Sequence, residues 1–310
     1  MSKFIANSIM MIKPSNFNYN EQTSINNHYQ KNHKIYDLTE IQKNVAVEFN
    51  DFVNKLKKNN IDVNIFNDNN SLFTPDSIFP NNWISFHENK TIILYPMFAK
   101  NRRLERRVDI IEKLRVKYNV EKFNLIDLSV YEKDYKYLEG TGSMILDRHN
   151  KIIYSSLSER TNKTLLDKVS SILDYELLVF KSFQTVKEKK FPIYHTNVMM
   201  SLGDTFAIIC DSLIINSKER NSVMNSLRNS GKEIILLNEN QINSFAGNMI
   251  LLKNKKNANF LIMSNSAYNS LSSHQIDNIQ SHVKIIKSNL STIEYYGGGG
   301  ARCMITELFF

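Results

Sequence analysis

Apolar residues recur in pairs of short runs that are separated by polar turns, a pattern typical of β-hairpins. Four segments share this plan, and they cover residues 82–95, 142–154, 197–210 and 248–263. Their turns contain pairs such as His149-Asn150 and Gly203-Asp204, which suit tight hairpin geometry. The sequence therefore predicts four two-stranded hairpins.

Between the hairpins, apolar residues follow the i, i+3, i+4 spacing of amphipathic helices, and each such stretch leads to a further apolar run. The predicted helices cover residues 41–58, 104–118, 163–173, 220–228 and 274–286. The strands that follow them are expected at residues 63–66, 123–128, 177–180, 234–237 and 293–296. The order strand, strand, helix, strand is thus predicted to repeat along the whole chain.

Five polar or reactive residues recur in the same phase of this repeat. They are Asn82, Glu139, His195, Asn248 and Cys303, and their successive separations are 57, 56, 53 and 55 residues. The segment 303–310 is expected to pair with residues 8–12 and so to complete a fifth unit. Because repeats of this length form closed or stacked architectures, we predict one catalytic domain spanning residues 1–310. Its class is α/β, a five-bladed, pseudo-symmetric propeller of ββαβ repeats in which equivalent positions point to one central channel.

Composition narrows the function classes. Hydrophobic residues make up 42% of the 310 residues, enough for a packed core. The net charge of +8 suits nucleic acid, but it is spread thinly, and Glu105 interrupts the one dense basic run at 100–107. No apolar run reaches the length of a membrane span, and residues 4–12 are predicted to be a strand rather than a signal peptide. We expect no nucleic acid and no membrane as partners.

The two cysteines, Cys210 and Cys303, lie far apart in different contexts, so neither a disulfide framework nor a zinc site is indicated. A reducing, cytoplasmic location is the default expectation. No glycine-rich nucleotide cradle, no Gly-x-Ser-x-Gly elbow and no His-Glu-x-x-His helix occurs. The sequence therefore predicts neither a metal nor a cofactor.

A cysteine, a histidine and a carboxylate in one phase are the components of a thiol hydrolase. Cys303 follows a run of four glycines, and Glu139 opens Glu-Gly-Thr-Gly-Ser, so both lie in segments whose backbone can approach a ligand closely. Arg302, next to the thiol, is expected to favour the reactive thiolate. Taken alone, a cysteine or a histidine could be only part of the core, as Cys210 is expected to be within its apolar run. The shared phase of Cys303, His195 and Glu139 is what favours a catalytic role.

Several motifs resemble those of the guanidino-group modifying superfamily, which includes arginine deiminases, dimethylarginine hydrolases and amidinotransferases. They are Phe79-Pro-Asn-Asn-Trp83, Asn101-Arg-Arg-Leu-Glu-Arg106, Leu138-Glu-Gly-Thr-Gly-Ser143, Ser158-Glu-Arg-Thr161, Tyr194-His-Thr-Asn197 and Gly299-Gly-Ala-Arg-Cys303. The similarity spans the chain and looks closest to the citrulline-utilisation hydrolase (citrulline ureidase) branch. The resemblance implies a pentein-like propeller, Cys303 as nucleophile, His195 as acid and base, and Glu139 as a carboxylate holding the substrate's planar head.

The chain departs from arginine deiminases at two positions, where it has Asn82 and Asn197 in place of aspartates. A guanidinium is cationic and only donates hydrogen bonds, whereas a ureido group is neutral and presents a carbonyl oxygen that requires a donor. We therefore expect Asn82 and Asn197 to bind the substrate's ureido head, and Arg160 to bind its carboxylate through a guanidinium fork. Arg302 is the alternative for the carboxylate.

The expected reaction converts citrulline to ornithine, carbon dioxide and ammonia through an S-carbamoyl intermediate on Cys303. One alternative keeps the fold and the nucleophile but acts on a guanidinium, as an arginine deiminase or a dimethylarginine hydrolase does. The other is a basic nucleic-acid-binding protein with an inactive site. The sequence leaves open whether the chain forms a homo-oligomer.

Overall fold

We analysed a computed structural model of the chain, in which residues 4–32 and 35–309 are described. The strands are β1 (Ser8–Lys13), β2 (Asp62–Asn67), β3 (Ile84–Phe86), β4 (Thr91–Leu94), β5 (Asn124–Asp127), β6 (Ile145–Asp147), β7 (Ile152–Ser156), β8 (Glu176–Phe180), β9 (Phe183–Val186), β10 (Lys189–Pro192), β11 (Met200–Leu202), β12 (Phe206–Ile209), β13 (Glu233–Leu236), β14 (Ile250–Lys253), β15 (Asn259–Ser264), β16 (Lys284–Ser288) and β17 (Thr306–Leu308).

The α-helices lie mainly between strands, on the connections that the periodicity predicts. They are α1 (Glu21–Ser24), α2 (Leu38–Lys58), α3 (Val108–Lys117), α4 (Gly140–Ser143), α5 (Lys163–Leu173), α6 (Ser217–Asn229), α7 (Glu239–Asn243), α8 (Asn265–Ser270), α9 (Ser273–His282) and α10 (Ser291–Gly297). Short 3-10 helices occupy Pro80–Asn82, Asn101–Glu105, Ser129–Asp134, Thr196–Val198 and Asp211–Leu213. The fold is therefore of the mixed α/β class.

Five three-stranded sheets share one topology. In each sheet the central strand pairs antiparallel with one neighbour and parallel with the other. The sheets have the strand orders β17-β1-β2, β3-β4-β5, β6-β7-β8, β11-β12-β13 and β14-β15-β16. A helical connection precedes every parallel strand, because two parallel neighbours need a crossover.

The four predicted hairpins and the pairing of the chain ends are confirmed. Ser8 lies opposite Leu308 and Met10 opposite Thr306, so the last strand completes the sheet that the first strand begins. Phe310, the final residue of the predicted pairing segment, lies outside the described residues. A sixth sheet, the small antiparallel pair β9 and β10, was not predicted because its strands carry few apolar residues.

Two predictions near the C-terminus were wrong. The helix expected at 274–286 ends at His282, and residues 284–288 form strand β16, so the helical spacing of Ile279, Val283 and Ile286 misled the assignment. The strand expected at 293–296 is helix α10. Its residues are buried around most of the helix, which removes the polar face that marks a surface helix.

The first strands of neighbouring units meet at the centre of the molecule. Strand β17 contacts β3, β6 contacts β11, and β11 contacts β14. The backbone N–H of Lys253 donates to the carbonyl of Ala6 at 2.8 Å and so connects the last unit to the first. Helices α2, α3, α5 and α6 pack outside these strands and bury apolar faces against them. In the described part of the chain, no helix combines the length and the apolarity that a membrane crossing requires.

Candidate active site

The five residues that share one phase of the repeat are here called the landmark residues. Each lies just before the first strand of its unit, so all five lie at the same end of the central strands. Asn82 ends a 3-10 turn before β3, Glu139 precedes α4 and β6, and His195 precedes the 3-10 turn that leads into β11. Asn248 and Cys303 lie within three residues of β14 and β17. All five are buried, and Cys303 is the most exposed at 5%. The predicted phase therefore brings these residues to one end of neighbouring strands.

One small cavity collects most of the predicted site. Its lining includes Cys303, His195, Asn82 and Arg160. The sequence analysis gave no role to the other lining residues, which are Thr23, Asn27, Asp76, Phe79, Arg102, Tyr194, Gly297, Gly298 and Gly299. Glu139 and Asn197 lie directly behind the lining, against His195 and Cys303.

Glu139 holds the imidazole of His195. The distance from His195 Nε2 to Glu139 Oε2 is 2.7 Å, and both side chains are almost fully buried. Arg160 Nη1 donates to the same carboxylate oxygen at 3.4 Å, and the N–H of Phe98 donates to the other at 3.0 Å. Both carboxylate oxygens are therefore engaged within the protein, and Nδ1 is the ring nitrogen turned away from Glu139.

Burial controls the charge states of this pair. Burial alone would raise the pKa of Glu139, but Arg160 and His195 outweigh it and hold that pKa well below its usual range. Burial lowers the pKa of His195 to about 4, although Glu139 works against this shift. At neutral pH the carboxylate is ionised and the imidazole is neutral.

Two asparagine amides contact the thiol. Asn248 Nδ2 donates to Cys303 Sγ at 3.2 Å, and Asn197 Nδ2 does so at 3.4 Å. Asn248 Nδ2 also donates to the carbonyl of Asn197, so one residue fixes the other. Burial raises the pKa of the thiol, against the opposing effects of the two amides and of Arg302. The amides would stabilise a thiolate once it forms.

Arg302 does not turn towards the sulfur. Its guanidinium donates to the carbonyl of Ile305 at 2.9 Å and to Glu307 at 3.0 Å, on the far side of the backbone from the cavity. The positive charge of Arg302 still favours the thiolate, as expected, but burial of the thiol outweighs it, so the pKa of Cys303 is raised. Arg302 is also absent from the lining in which a substrate carboxylate would lie.

Arg102 fixes the orientation of Asn82. Its Nη1 donates to Asn82 Oδ1 at 2.7 Å, and a guanidinium only donates, so the oxygen of the amide must face it. Asn82 Nδ2 is left with one contact in the described chain, to Asn81 Oδ1 at 3.2 Å. Glu105 pairs with Arg102 in a fork at 2.9 Å and keeps it in place. The Asn82 amide thus keeps one N–H without a partner in the described chain.

Arg160 occupies the cavity wall between two aromatic rings. Its guanidinium lies 4.8 Å from the ring centre of Tyr194 and 5.7 Å from that of Phe98. Nε donates to Asn26 at 2.7 Å, and Nη2 donates to the carbonyl of Thr23 at 2.6 Å. Only Nη1, with its 3.4 Å contact to Glu139, retains hydrogen-bonding capacity for a ligand.

Asp76 is a site residue that the sequence analysis missed. Its Oδ2 accepts from Asn20 at 2.7 Å and from Thr23 at 3.0 Å, whereas Oδ1 is buried without a hydrogen-bond partner among the described residues. Asn197 Oδ1 is also buried and has no hydrogen-bond partner among the described residues. A buried acceptor without a donor is costly, so these atoms mark positions where a ligand's N–H groups would be stabilised. Asp76 is out of phase with the five landmarks, and only the fold reveals it.

The segment 20–30, here called the covering segment, closes the cavity from outside. Asn27 and Gln30 donate to the carbonyls of Gly297 and Gly298 at 3.1–3.4 Å. Through Thr23 and Asn26 the same segment contacts Asp76 and Arg160. Its polar sequence predicts no element, so the sequence gave no sign of this role.

Gly142 explains why the motif around Glu139 is rich in glycine. A Cβ at this position would lie 2.5 Å from Asn82 Nδ2 and 2.8 Å from His195 Nδ1. Any larger residue would displace both side chains, because contacts this short are not tolerated. Among the described residues, no three His, Cys, Asp or Glu side chains are grouped to hold a metal ion.

Comparisons with known proteins identify the family and the fold of the chain. The family model described as "N,N dimethylarginine dimethylhydrolase, eukaryotic" matches residues 13–310. No curated protein matches the chain in sequence. Several solved structures share its fold.

Three structural relatives illustrate the similarity. The N-terminal domain of ArgZ, in a variant covalently bound to a reaction intermediate, has 15% identity and a TM-score of 0.70, with 97% of each chain covered. AgrE with ornithine and NAD⁺ has 17% identity and a TM-score of 0.72, with 98% of this chain and 40% of that one covered. A dimethylarginine dimethylaminohydrolase adduct has 15% identity and a TM-score of 0.65, with 98% of this chain and all of that one covered. Full-length ArgZ, a cyanobacterial arginine dihydrolase, is matched over 41% of its length.

Proposed function

The chain belongs to the N,N dimethylarginine dimethylhydrolase family of the eukaryotic type, and we propose that it is a cysteine-dependent hydrolase of a guanidino or ureido C–N bond. The observation that carries this proposal is the joint lining of one buried cavity by Cys303 and His195. Glu139 orients the imidazole, and two amides contact the sulfur. Nucleophile, base and orienting group are the three parts that this chemistry needs.

The preferred substrate is citrulline. A ureido head carries one acceptor oxygen and three N–H donors, whereas a guanidinium carries donors only. Asn82 Nδ2 supplies a donor for the oxygen, and the unpartnered oxygens of Asp76 and Asn197 supply acceptors for the N–H groups. A guanidinium would leave the Asn82 donor facing another donor. This match is the reason for favouring a ureido substrate.

In the first step, His195 accepts the thiol proton and Cys303 Sγ bonds to the ureido carbon. The carbonyl oxygen becomes an oxyanion, which Asn82 Nδ2 stabilises. The imidazolium of His195 then protonates the leaving nitrogen, the C–N bond breaks, and ornithine departs from an S-carbamoyl cysteine. Glu139 stabilises the imidazolium between these events. We assign it this positioning role instead of the contact to the substrate's planar head that the resemblance implied, because both of its oxygens already have partners within the protein.

In the second step, His195 takes a proton from water, and the hydroxide attacks the thioester carbon. The C–S bond breaks, His195 returns the proton to the sulfur, and carbamic acid decomposes to carbon dioxide and ammonia. We keep Arg160 as the contact for the substrate carboxylate, through Nη1. No cofactor or metal is required by this scheme.

We further infer that the five sheets close into a five-bladed α/β propeller of ββαβ units. The common topology of the sheets and the contacts between their first strands support this arrangement. The pairing of β17 with β1 supports it as well, because it joins the two chain ends in one sheet. Location in the cytoplasm and a homo-oligomeric state stay predictions.

A guanidinium substrate is the second candidate. Asp76 offers a carboxylate in the cavity, and the structural relatives include an arginine dihydrolase and a dimethylarginine dimethylaminohydrolase. Such an enzyme would release citrulline or ornithine from an arginine derivative. The third candidate, a basic nucleic-acid-binding protein with an inactive site, is disfavoured by the intact set of Cys303, His195 and Glu139.

The test is a product analysis on citrulline, arginine and dimethylarginine in parallel. We expect ornithine and ammonia from citrulline, in equal amounts, and no product from the Cys303→Ala variant. Accumulation of citrulline from arginine would support the guanidinium alternative. Absence of any product, together with salt-sensitive retention of RNA, would contradict the enzymatic proposal altogether.

A further inference from the structure

A second and larger cavity lies at the other end of the same central strands. Its volume is about 80 Å³, and here we call it the rear cavity. The residues that matter for its chemistry are Asp147, Arg148, Ser201, Lys232, Arg302 and Glu307. Glu139 precedes β6 and Arg148 follows it, just as His195 precedes β11 and Gly203 follows it. A strand of three residues spans roughly 10 Å, so the two cavities lie back to back.

Cations dominate the buried charge of the rear cavity. Arg148, Lys232 and Arg302 are buried, whereas Asp147 is the one buried carboxylate of the described lining; Glu307 is partly buried and Asp204 is exposed. Lys232 is satisfied by Asp147 at 3.1 Å and by the carbonyl of Asp204 at 3.1 Å. Glu307 lies 3.0 Å from Arg302 and 4.0 Å from Arg148, and Arg148 also pairs with the partly buried Glu88 at 3.4 Å.

Arg148 is poorly satisfied for a buried guanidinium. Its contacts to His87, Glu88 and the carbonyl of Phe86 are all 3.3–3.5 Å long. Its flat face packs 4.0 Å from the ring centre of Phe309, which orients the guanidinium without providing an acceptor. The geometry leaves capacity for one more acceptor.

Ser201 supplies an independent indication of a ligand. Its side chain is 97% buried and lines the rear cavity, yet its hydroxyl has no hydrogen-bond partner among the described residues. If these ion pairs had only a structural role, we would expect the hydroxyl to be paired and the space between the side chains to be filled. An unpaired donor beside a surplus of cations is what an anion-binding site requires.

We propose that the rear cavity binds a small oxyanion, with Ser201 Oγ, Arg148 and Arg302 as its donors. The anion adds buried negative charge beside two buried guanidiniums whose carboxylate partners, Glu307 and Glu88, are only partly buried. The shared chemistry is that of a carboxylate or an inorganic oxyanion, both of which match a guanidinium fork. This site is separate from the cavity in which the substrate reacts.

Arg302 connects the two cavities. Its side chain lies in the rear cavity, while the next residue, Cys303, presents its thiol to the other one. The positive charge of Arg302 favours the thiolate of Cys303 and so lowers the pKa of that thiol. An anion on Arg302 would weaken this effect, and the nucleophile would become less reactive. This regulatory consequence rests on the proposed function of Cys303, whereas the binding site itself does not.

Calorimetric titration of the full chain tests the binding site directly. Sodium acetate and inorganic phosphate are titrated separately, at constant ionic strength set with chloride. We expect one saturable site, and a Ser201→Ala variant should bind at least about tenfold more weakly, since a hydrogen bond to a charged group is lost. Binding of acetate identifies a carboxylate ligand, whereas binding of phosphate alone identifies an inorganic oxyanion.

The matched control is Ser288→Ala, which removes another buried hydroxyl without a described partner, in β16 and outside the rear cavity. It should leave anion binding unchanged. An Arg302→Gln variant should abolish binding of either anion. Absence of saturable binding overturns the proposal, and so does binding that Ser201→Ala and Arg302→Gln leave intact.

The alkylation rate of Cys303 by iodoacetamide tests the coupling without any substrate. The anion should slow alkylation of the wild-type chain several-fold, and the Ser201→Ala variant should need at least about tenfold more anion for the same slowing. An unchanged rate at full occupancy would overturn the coupling while leaving the site in place. Failure of the proposed hydrolase activity would alter neither result.

Discussion

At the residue scale, the reactive centre is held neutral by burial. Cys303 is 5% exposed and has a raised pKa, and burial brings the pKa of His195 to about 4. Around neutral pH the thiol therefore keeps its proton and the imidazole stays uncharged. In the proposed reaction the proton moves from sulfur to nitrogen as the substrate is attacked.

The first prediction concerns the pH at which the thiolate forms. The ultraviolet absorbance of the thiolate, measured as the difference between wild type and Cys303→Ala, should rise with a midpoint above about 8.5, the ordinary thiol value. Asn248→Ala should move the midpoint further upwards, because that amide favours the charged sulfur. A midpoint below about 7 would show a preformed ion pair with His195 and would contradict this description.

The second prediction concerns substrate choice. Asn82→Asp and Asn197→Asp each replace an amide with a carboxylate, which disfavours a ureido oxygen and favours a guanidinium. We expect the ratio of kcat/KM for citrulline to that for arginine to fall at least about tenfold in each variant. Asn225→Asp, an exposed change of the same kind on α6, should leave the ratio unaltered. Equal ratios in all three variants would exclude these asparagines from recognition.

The sequence was informative where a residue lies in phase with the repeat. Asn82, Glu139, His195, Asn248 and Cys303 could be grouped because each precedes the first strand of its unit. Asp76, Arg102 and Tyr194 could not, since they reach the cavity from turns and from a 3-10 helix with no counterpart in other units. The direction of Arg302 was equally hidden, because it depends on Glu307 and on the backbone turn after Cys303.

At the element scale, helix α10 positions the nucleophile. It ends in Gly297 and leads through Gly298, at a left-handed φ of 63°, to the turn that carries Cys303. Its N-cap residue, Leu290, offers no side-chain hydrogen bond. Instead, Glu48 from α2 accepts from the backbone N–H groups of Thr292 and Ile293 at 2.8 and 3.1 Å. A carboxylate at this end also complements the helix dipole.

The third prediction follows from that contact. Glu48→Ala should lower the free energy of unfolding by about 1–3 kcal/mol, because buried N–H groups lose a charged acceptor. Chemical denaturation measures this difference. Glu40→Ala, at an exposed position of the same helix, should change it by less than about 0.5 kcal/mol. Equal effects of the two substitutions would mean that Glu48 does not cap α10.

Elements with a clear polar face were predictable, and those without one were not. Helix α5 was predicted with its observed ends, since its apolar positions face the core and the rest are polar. Helix α10 was mistaken for a strand because its residues are buried on most sides. The covering segment is short and polar, and tertiary contacts to Gly297, Asp76 and Arg160 hold it in place, so local sequence carries little information about it.

At the scale of the whole molecule, the chain ends are part of the structure. Strand β17 pairs with β1, and β1 pairs with β2, so the first two strands and the last strand of the described chain form one unit. The repeat was visible in the sequence because each unit buries the same kind of surface. The order of units around the centre depends on contacts between strands that are far apart in the chain, and only the coordinates supply it.

The fourth prediction is that the molecule tolerates circular permutation. A flexible linker would join the original ends, and new ends would open between Lys187 and Glu188, in the exposed turn of β9 and β10. We expect a melting temperature within a few degrees of wild type and retained ornithine release. Opening the chain inside β7, a buried central strand, should prevent folding. If both permutants fail alike, the pairing of the chain ends does not hold the molecule together.

The fifth prediction tests the central claim, covalent catalysis at Cys303. Wild-type enzyme is mixed with citrulline that is isotopically labelled at the ureido carbon, quenched in acid within one turnover, and digested for mass spectrometry. We expect a labelled carbamoyl group on the peptide that contains Cys303, its loss as labelled carbon dioxide forms, and no adduct in Cys303→Ala. Release of ornithine without any adduct, or an adduct on Cys210 instead, would contradict this expectation.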